Sequence, residues 1–168
     1  CGTSTATALP CMFSHLSKSE FEDSTQSIEN LVDVLHHAGL AVLWLENQSG
    51  CKGICDRVPN AITRNLSDPK LCTSGECFDE IMLSQISERM AALPVDRLHR
   101  GIVVIMHQMG SHGPAYFKRS PQAIKQFNPE CATNILQDCT RAEVTNAYNN
   151  TILYTDHFLG KVVDYLKS

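Results

Sequence analysis

The spacing of apolar residues changes register several times along the chain, and each change marks an element. Over residues 24–38 the apolar positions Ile28, Leu31, Val32 and Leu35 recur at helical intervals. That spacing predicts an amphipathic helix, and Gly39 supplies a C-terminal stop. Residues 40–45 (Leu-Ala-Val-Leu-Trp-Leu) run almost without polar interruption. Such a run suits a strand covered on both faces of a parallel sheet. A cysteine-rich loop is expected over 47–77. A second helix is expected over 79–93, with Ile81, Met82, Ile86 and Met90 on one side. Residues 101–106 (Gly-Ile-Val-Val-Ile-Met) predict a second buried strand, rich in β-branched side chains. A polar, glycine-bearing loop, 107–114, follows it. Thr140 and Glu143 fit a capping box that opens a long helix to Ser168. Its predicted inner face carries Val144, Tyr148, Ile152, Phe158, Val162 and Leu166.

The order helix–strand–helix–strand–helix indicates an α/β fold with a mostly parallel sheet. Two clear strands are few for this length, and a third is expected beyond the last helix. The chain is therefore read as one part of a larger domain. A sheet of two strands would leave an open edge and an uncovered apolar face, and self-association is expected from both.

Composition narrows the setting. The 168 residues carry a net charge of −4 and no basic stripe of the kind that grips nucleic acid. No apolar run approaches the ~20 residues of a membrane span. The eight cysteines fall into four close pairs: Cys1/Cys11, Cys51/Cys55, Cys72/Cys77 and Cys131/Cys139. Zinc ligation is the rival reading. However, C-x3-C followed by C-x4-C is not the twice-repeated C-x2-C of a zinc ribbon. Nearest-neighbour disulfides are expected, which place the chain in an oxidising compartment. Bridges this short constrain little unfolded-chain entropy and serve to fix local loop shape.

In open α/β sheets, ligands bind beyond the C-terminal ends of the strands. The first strand is followed there by Glu46, Asn47, Gln48, Ser49 and Lys52, and the second by His107, Gln108, Ser111 and His112. A third hydroxyl-rich segment, Thr3, Ser4, Thr5 and Thr7, lies between Cys1 and Cys11. These groups form a kit for binding and transferring a phosphate. Plainer readings stand beside it: Thr3, Ser4 and Thr5 as a helix cap, His107 as a structural histidine, Lys52 as surface charge. His112, beside Gly113-Pro114, has little packing reason to be an imidazole. His15, His36, His37, His99 and His157 are assigned no role. Three Asn-x-Ser/Thr triplets, at Asn47, Asn65 and Asn149, are weak signals.

Four longer motifs stand in a recognisable order. They are Cys-Gly-Thr-Ser-Thr-Ala-x-x-x-Pro-Cys-Met-Phe-Ser (1–14), Gly-Cys-Lys-Gly-x-Cys-Asp-Arg-Val-Pro (50–59), His-Gln-Met-Gly-Ser-His-Gly-Pro (107–114) and Asn-Ala-Tyr-Asn-Asn-Thr (146–151). Together they closely resemble the lipid A phosphoethanolamine transferases, the family that includes the mobile colistin-resistance enzymes. The resemblance implies an alkaline-phosphatase/sulfatase-like α/β/α sandwich, present only in part. Residues 1–168 would be the N-terminal part of a periplasmic catalytic domain on the bacterial inner membrane, carried by a transmembrane domain this chain lacks. It implies transfer of phosphoethanolamine from phosphatidylethanolamine to lipid A, which lowers surface negative charge and weakens polymyxin binding. By the same resemblance Thr5 is the nucleophile and a zinc ligand, and His112 lies at the substrate phosphate or a second zinc. Lys52, Gln48 and His107 fall at substrate-binding positions, with asparagine common in relatives where this chain has Gln48. The family's other primary zinc ligands lie in an upstream glutamate and a downstream Asp-His-Gly-Glu-Ser motif, both missing here, so weak zinc binding and no turnover are expected of this chain alone. Two rival functions stay open: a related sulfatase or glycan or glycerol-phosphate transferase, and a non-catalytic module that binds lipid headgroups.

Overall fold

β1 (Ala41–Glu46) is the middle strand of a three-stranded parallel sheet. Its neighbours are β2 (Asn60–Ile62) and β5 (Ile102–His107). The computed structural model describes residues 1–24 and 28–168, and the stretch 25–27 of the predicted first helix lies outside them. The chain divides into two compact units, residues 1–65 with 85–107, and residues 66–84 with 108–168.

The first unit holds the parallel sheet. All six residues of β1 are buried, as the unbroken apolar run predicts. β1 pairs with β5 along its whole length, from Ala41↔Ile102 to Glu46↔His107. β5 is half-buried rather than buried: it has one strand neighbour in this sheet, and Ile102 at its start is exposed. β2 is the strand that sequence spacing missed. Only three residues long, it aligns Trp44↔Asn60 to Glu46↔Ile62 on the other side of β1. Thus the sheet has three strands where two were expected.

α3 (Leu31–His37) is shorter than the predicted 24–38 helix. The Asn30 side chain accepts the N–H groups of Val32 and Asp33, and Asp33 accepts the Asn30 N–H in return. This capping box offers the backbone a defined start at Asn30 and outcompetes an earlier one. At the other end Gly39 adopts φ +88°. Its N–H reaches His36 O at 3.0 Å, and the Leu40 N–H reaches Leu35 O at 3.2 Å. That pair of bonds is a Schellman motif, which requires a left-handed residue at this position. Leu35 and Leu40 pack on the core cluster of Leu9, Val32, Val42, Trp44 and Ile54.

The predicted 79–93 helix is two pieces. A 3-10 turn, Asp79–Leu83, is followed by α4 (Ile86–Ala91). Gln85 between them has φ +62°, which no continuous right-handed helix admits. α1 (Thr5–Phe13), α2 (Lys18–Asp23) and α5 (Val95–Leu98) complete the first unit's helices.

The second unit is built on α6 (Arg141–Lys167), capped as predicted by Thr140 and Glu143. Its buried face is Ala147, Asn150, Thr151, Tyr154 and Phe158. Of the predicted inner face only Phe158 is buried, while Tyr148, Ile152 and Leu166 are exposed. Polar residues take the inner positions because each finds partners. Asn150 Oδ1 accepts the Gln126 and Phe127 N–H groups, and its Nδ2 donates to Phe127 O and Glu130 Oε2. A small hairpin, β3 (Cys72–Thr73) with β4 (Glu76–Cys77), turns on Ser74 and Gly75, both at positive φ. Two positive-φ residues in succession match the twist of a tight hairpin.

Candidate active site

All four expected disulfides are present: Cys1–Cys11, Cys51–Cys55, Cys72–Cys77 and Cys131–Cys139. The first bridge ties Cys1, ahead of α1, to Cys11 within the helix that Thr5 begins. Ser4 occupies the N-cap position in an extended conformation, but its side chain makes no cap hydrogen bond. The hydroxyl cluster therefore does not act as a conventional side-chain cap. Thr5 is the first helical residue and half-buried. The leading N–H groups of a helix and its dipole favour an anion at that end. At the other end of α1, Leu9 packs in the core cluster and the Phe13 ring lies 5.5 Å from Trp44.

The C-terminal ends of β1 and β5 meet at Glu46 and His107, which are register partners. Glu46 is buried and accepts three contacts. Trp44 Nε1 lies 3.1 Å from Oε2, the Gln48 N–H is 2.7 Å from Oε1, and His107 Nδ1 is 2.8 Å from Oε2. Burial alone would raise the Glu46 pKa. The hydrogen bonds from His107 and Trp44, the His107 charge and the Gln48 N–H together outweigh it and hold the pKa below the ordinary value. Trp44 also lies edge-on to the His107 ring, with centroids 5.8 Å apart.

Gln48 and His107 are thus brought together on one carboxylate. The Gln48 side chain is buried beside Ser49, whose hydroxyl is 3.1 Å from its Oε1. Lys52 has φ +54°, and its Nζ donates to Ser49 O at 2.6 Å. Lys52 also lines a cavity of about 330 Å³ with Pro10, Ser14, Asp56 and Arg57. Pro10 and Ser14 belong to the C-terminal half of α1 and its cap, away from Thr5.

His112 belongs to the second unit and is exposed, with Nδ1 2.8 Å from Gly113 O. Its loop is fastened from several sides. Asp79 accepts the Met109 and Gly110 N–H groups, Thr151 contacts the Ser111 hydroxyl, and Arg119 donates to His112 O. Sequence reasoning placed Glu46 among the groups at the end of the first strand without pairing it to His107, and gave no role to Trp44 or Asp79. Trp44 and Glu46 stand two apart on a strand, so they share one face, and that signal was available. Asp79 stands 30 positions from Met109, with nothing local to mark the pairing.

The described residues bring few metal-capable side chains together. Among them, the one grouping of three metal-capable side chains is Cys51, Cys55 and Asp56. Both sulfurs of that grouping are tied up in a disulfide, and a thiolate is what zinc binds. His112 does not fall in such a grouping. No described helix is long and apolar enough to cross a membrane.

Comparison with known proteins agrees with the fold and the motifs. The chain is 40% identical over 169 residues to phosphoethanolamine transferase EptA of Salmonella typhimurium, covering all of this chain and 30% of that protein. It superposes on the integral membrane lipooligosaccharide phosphoethanolamine transferase A of Neisseria meningitidis with a TM-score of 0.86 at 44% identity, covering 99% of this chain and 30% of that one. The C-terminal periplasmic domain of phosphoethanolamine transferase EptC from Campylobacter jejuni gives a TM-score of 0.80 at 37% identity, over 99% of this chain and 50% of that one. The chain thus spans less than a third of the length of the full-length relatives it matches. The sulfatase family model matches residues 1–168, and the chain belongs to the sulfatase family.

Proposed function

We propose that this chain is the N-terminal part of the periplasmic catalytic domain of a membrane-anchored phosphoethanolamine transferase, with phosphatidylethanolamine as donor and lipid A as acceptor. The observation that carries this reading is Thr5 at the head of a helix tied to the preceding segment by the Cys1–Cys11 disulfide, in a chain whose full-length relatives bear that enzyme name. In the first half-reaction, Thr5 Oγ attacks the donor phosphorus while the bond to the diacylglycerol oxygen breaks. The hydroxyl proton ends on the released diacylglycerol. Phosphoethanolamine then rests on Thr5 as a phosphate ester. In the second half-reaction, an oxygen of a lipid A phosphate attacks that phosphorus, and Thr5 leaves and regains a proton.

The chain's own groups do the positioning. The uncapped start of α1 offers N–H donors to the phosphoryl oxygens, where charge accumulates in the transition state. Lys52 supplies positive charge for the anionic phosphodiester, and Gln48 and His107 supply polar contacts to it. Zinc binding in this reading draws on groups outside residues 1–168, with Thr5 contributing from within.

The test replaces Thr5 by Ala and by Ser in the full-length protein, expressed in a polymyxin-sensitive Gram-negative host. The Ala variant should lose phosphoethanolamine-modified lipid A by mass spectrometry, and with it polymyxin resistance, at unchanged expression. Modified lipid A at parental levels would overturn the assignment. The mass of the group trapped on the Thr5 peptide separates the substrate classes. A phosphoethanolamine adduct supports this reading, while a sulfate or glycerol-phosphate adduct would move the protein to a different branch of the family.

A further inference from the structure

We propose that Glu46 is the positioning residue that sets the tautomer of His107, holding its proton on Nδ1 and leaving Nε2 as a bare acceptor. Two of the donors to Glu46 have no choice of role. An indole N–H and a backbone N–H can only donate, and Trp44 Nε1 and the Gln48 N–H both reach the Glu46 carboxylate. A carboxyl proton would have to share that space with them, so Glu46 is held as the acceptor-only carboxylate.

His107 Nδ1 stands 2.8 Å from Glu46 Oε2, a distance that requires a proton between them. The carboxylate has none to give, so the proton belongs to Nδ1. A neutral imidazole carries one N–H, and Nε2 is then left with its lone pair. Ring orientation is fixed as well. His107 is the register partner of Glu46, and its ring meets the edge of Trp44, itself fully buried. A carboxylate behind an imidazole is the usual device for presenting the far nitrogen as a base or a metal ligand. The use of that nitrogen in transfer rests on the function proposed above, whereas the tautomer does not.

Long-range 1H–15N correlation spectra of the 168-residue chain, at mildly alkaline pH, read the tautomer directly. The expected result is a protonated-type shift at His107 Nδ1 and an unprotonated-type shift at Nε2. Replacing Glu46 by Leu should move both shifts toward the mixture seen for a free imidazole. An Nε2–H tautomer or a mixed one in the parent chain overturns the proposal. So does an unchanged Nδ1–H tautomer in a folded Glu46→Leu chain. If that variant fails to fold, the parent spectrum alone decides. Neither readout depends on turnover, so a failed transferase assignment would leave the spectra as predicted here.

Discussion

Asp79 and Gly110, 31 positions apart, are joined by a 2.9 Å hydrogen bond from the Gly110 N–H to Asp79 Oδ2. The other carboxylate oxygen takes the Met109 N–H at 2.8 Å. One buried side chain thus holds two successive amides of the loop that leads to His112. Replacing Asp79 by Ala leaves both amides without that acceptor, at a cost of about 1–3 kcal/mol for a buried group so stranded. Urea unfolding should show this loss, and the Met109 and Gly110 amides should exchange faster. Parental stability together with parental exchange would show that the loop does not depend on Asp79.

A second carboxylate governs the response to acid. The Arg57 guanidinium holds the Asp33 pKa below its ordinary value, with burial opposing and the Asn30 N–H assisting. Arg57 Nε donates to Asp33 Oδ1 at 2.7 Å. A depressed folded pKa means that the unfolded chain takes up its proton first as pH falls. The stabilisation is therefore complete above the ordinary Asp value of about 3.9 and disappears as pH falls through the folded one. An Arg57→Ala chain should melt a few degrees lower at neutral pH, and the gap should close on acidification. A gap that stays constant with pH would assign the effect to packing of the Arg57 stem.

Metal content provides another check. The purified 168-residue chain should retain little zinc after dialysis and show weak binding in a calorimetric titration. Reduction of the Cys51–Cys55 bridge should create some affinity, because it frees two thiolates beside Asp56. Stoichiometric tight zinc in the oxidised chain would contradict the grouping of side chains seen here.

The outer side of α6 bears Ile152, Leu159, Val163 and Leu166, with Leu166 74% exposed. Their spacing puts them along one stripe of the helix. The chain should accordingly show a concentration-dependent rise in mass by light scattering. Leu159→Glu with Val163→Lys should suppress it. A monomer at every concentration would remove self-association from the account.

The parts of the fold that were legible in sequence share one property: their signal is local. The run through Trp44, the Thr140–Glu143 box and the four cysteine pairs each lie within a few residues, and the structure contains all three. What was misread depended on competition or distance. Asn30 captured the start of α3 from residues that also looked helical. Gln85 broke a helix whose apolar spacing continued straight through it. The inner face of α6 was misassigned because Asn150 and Thr151 look like surface residues until their partners at 126–130 and Ser111 are known. At the candidate site, the motif residues were visible one by one. The pairing of the Glu46 carboxylate with His107 was not, since the two stand 61 positions apart and only the strand register brings them level.

The register of β1 on β5 also limits how this chain can change. Glu46 meets His107 because six consecutive rungs of the backbone ladder bring them level. An insertion or deletion of one residue within either strand would set Glu46 opposite a different neighbour and turn alternate side chains to the other face. Point substitutions leave that alignment alone. Such a strand pair tolerates spelling errors but not frameshifts of geometry, so length variation is expected to accumulate in the loops and spare 41–46 and 102–107.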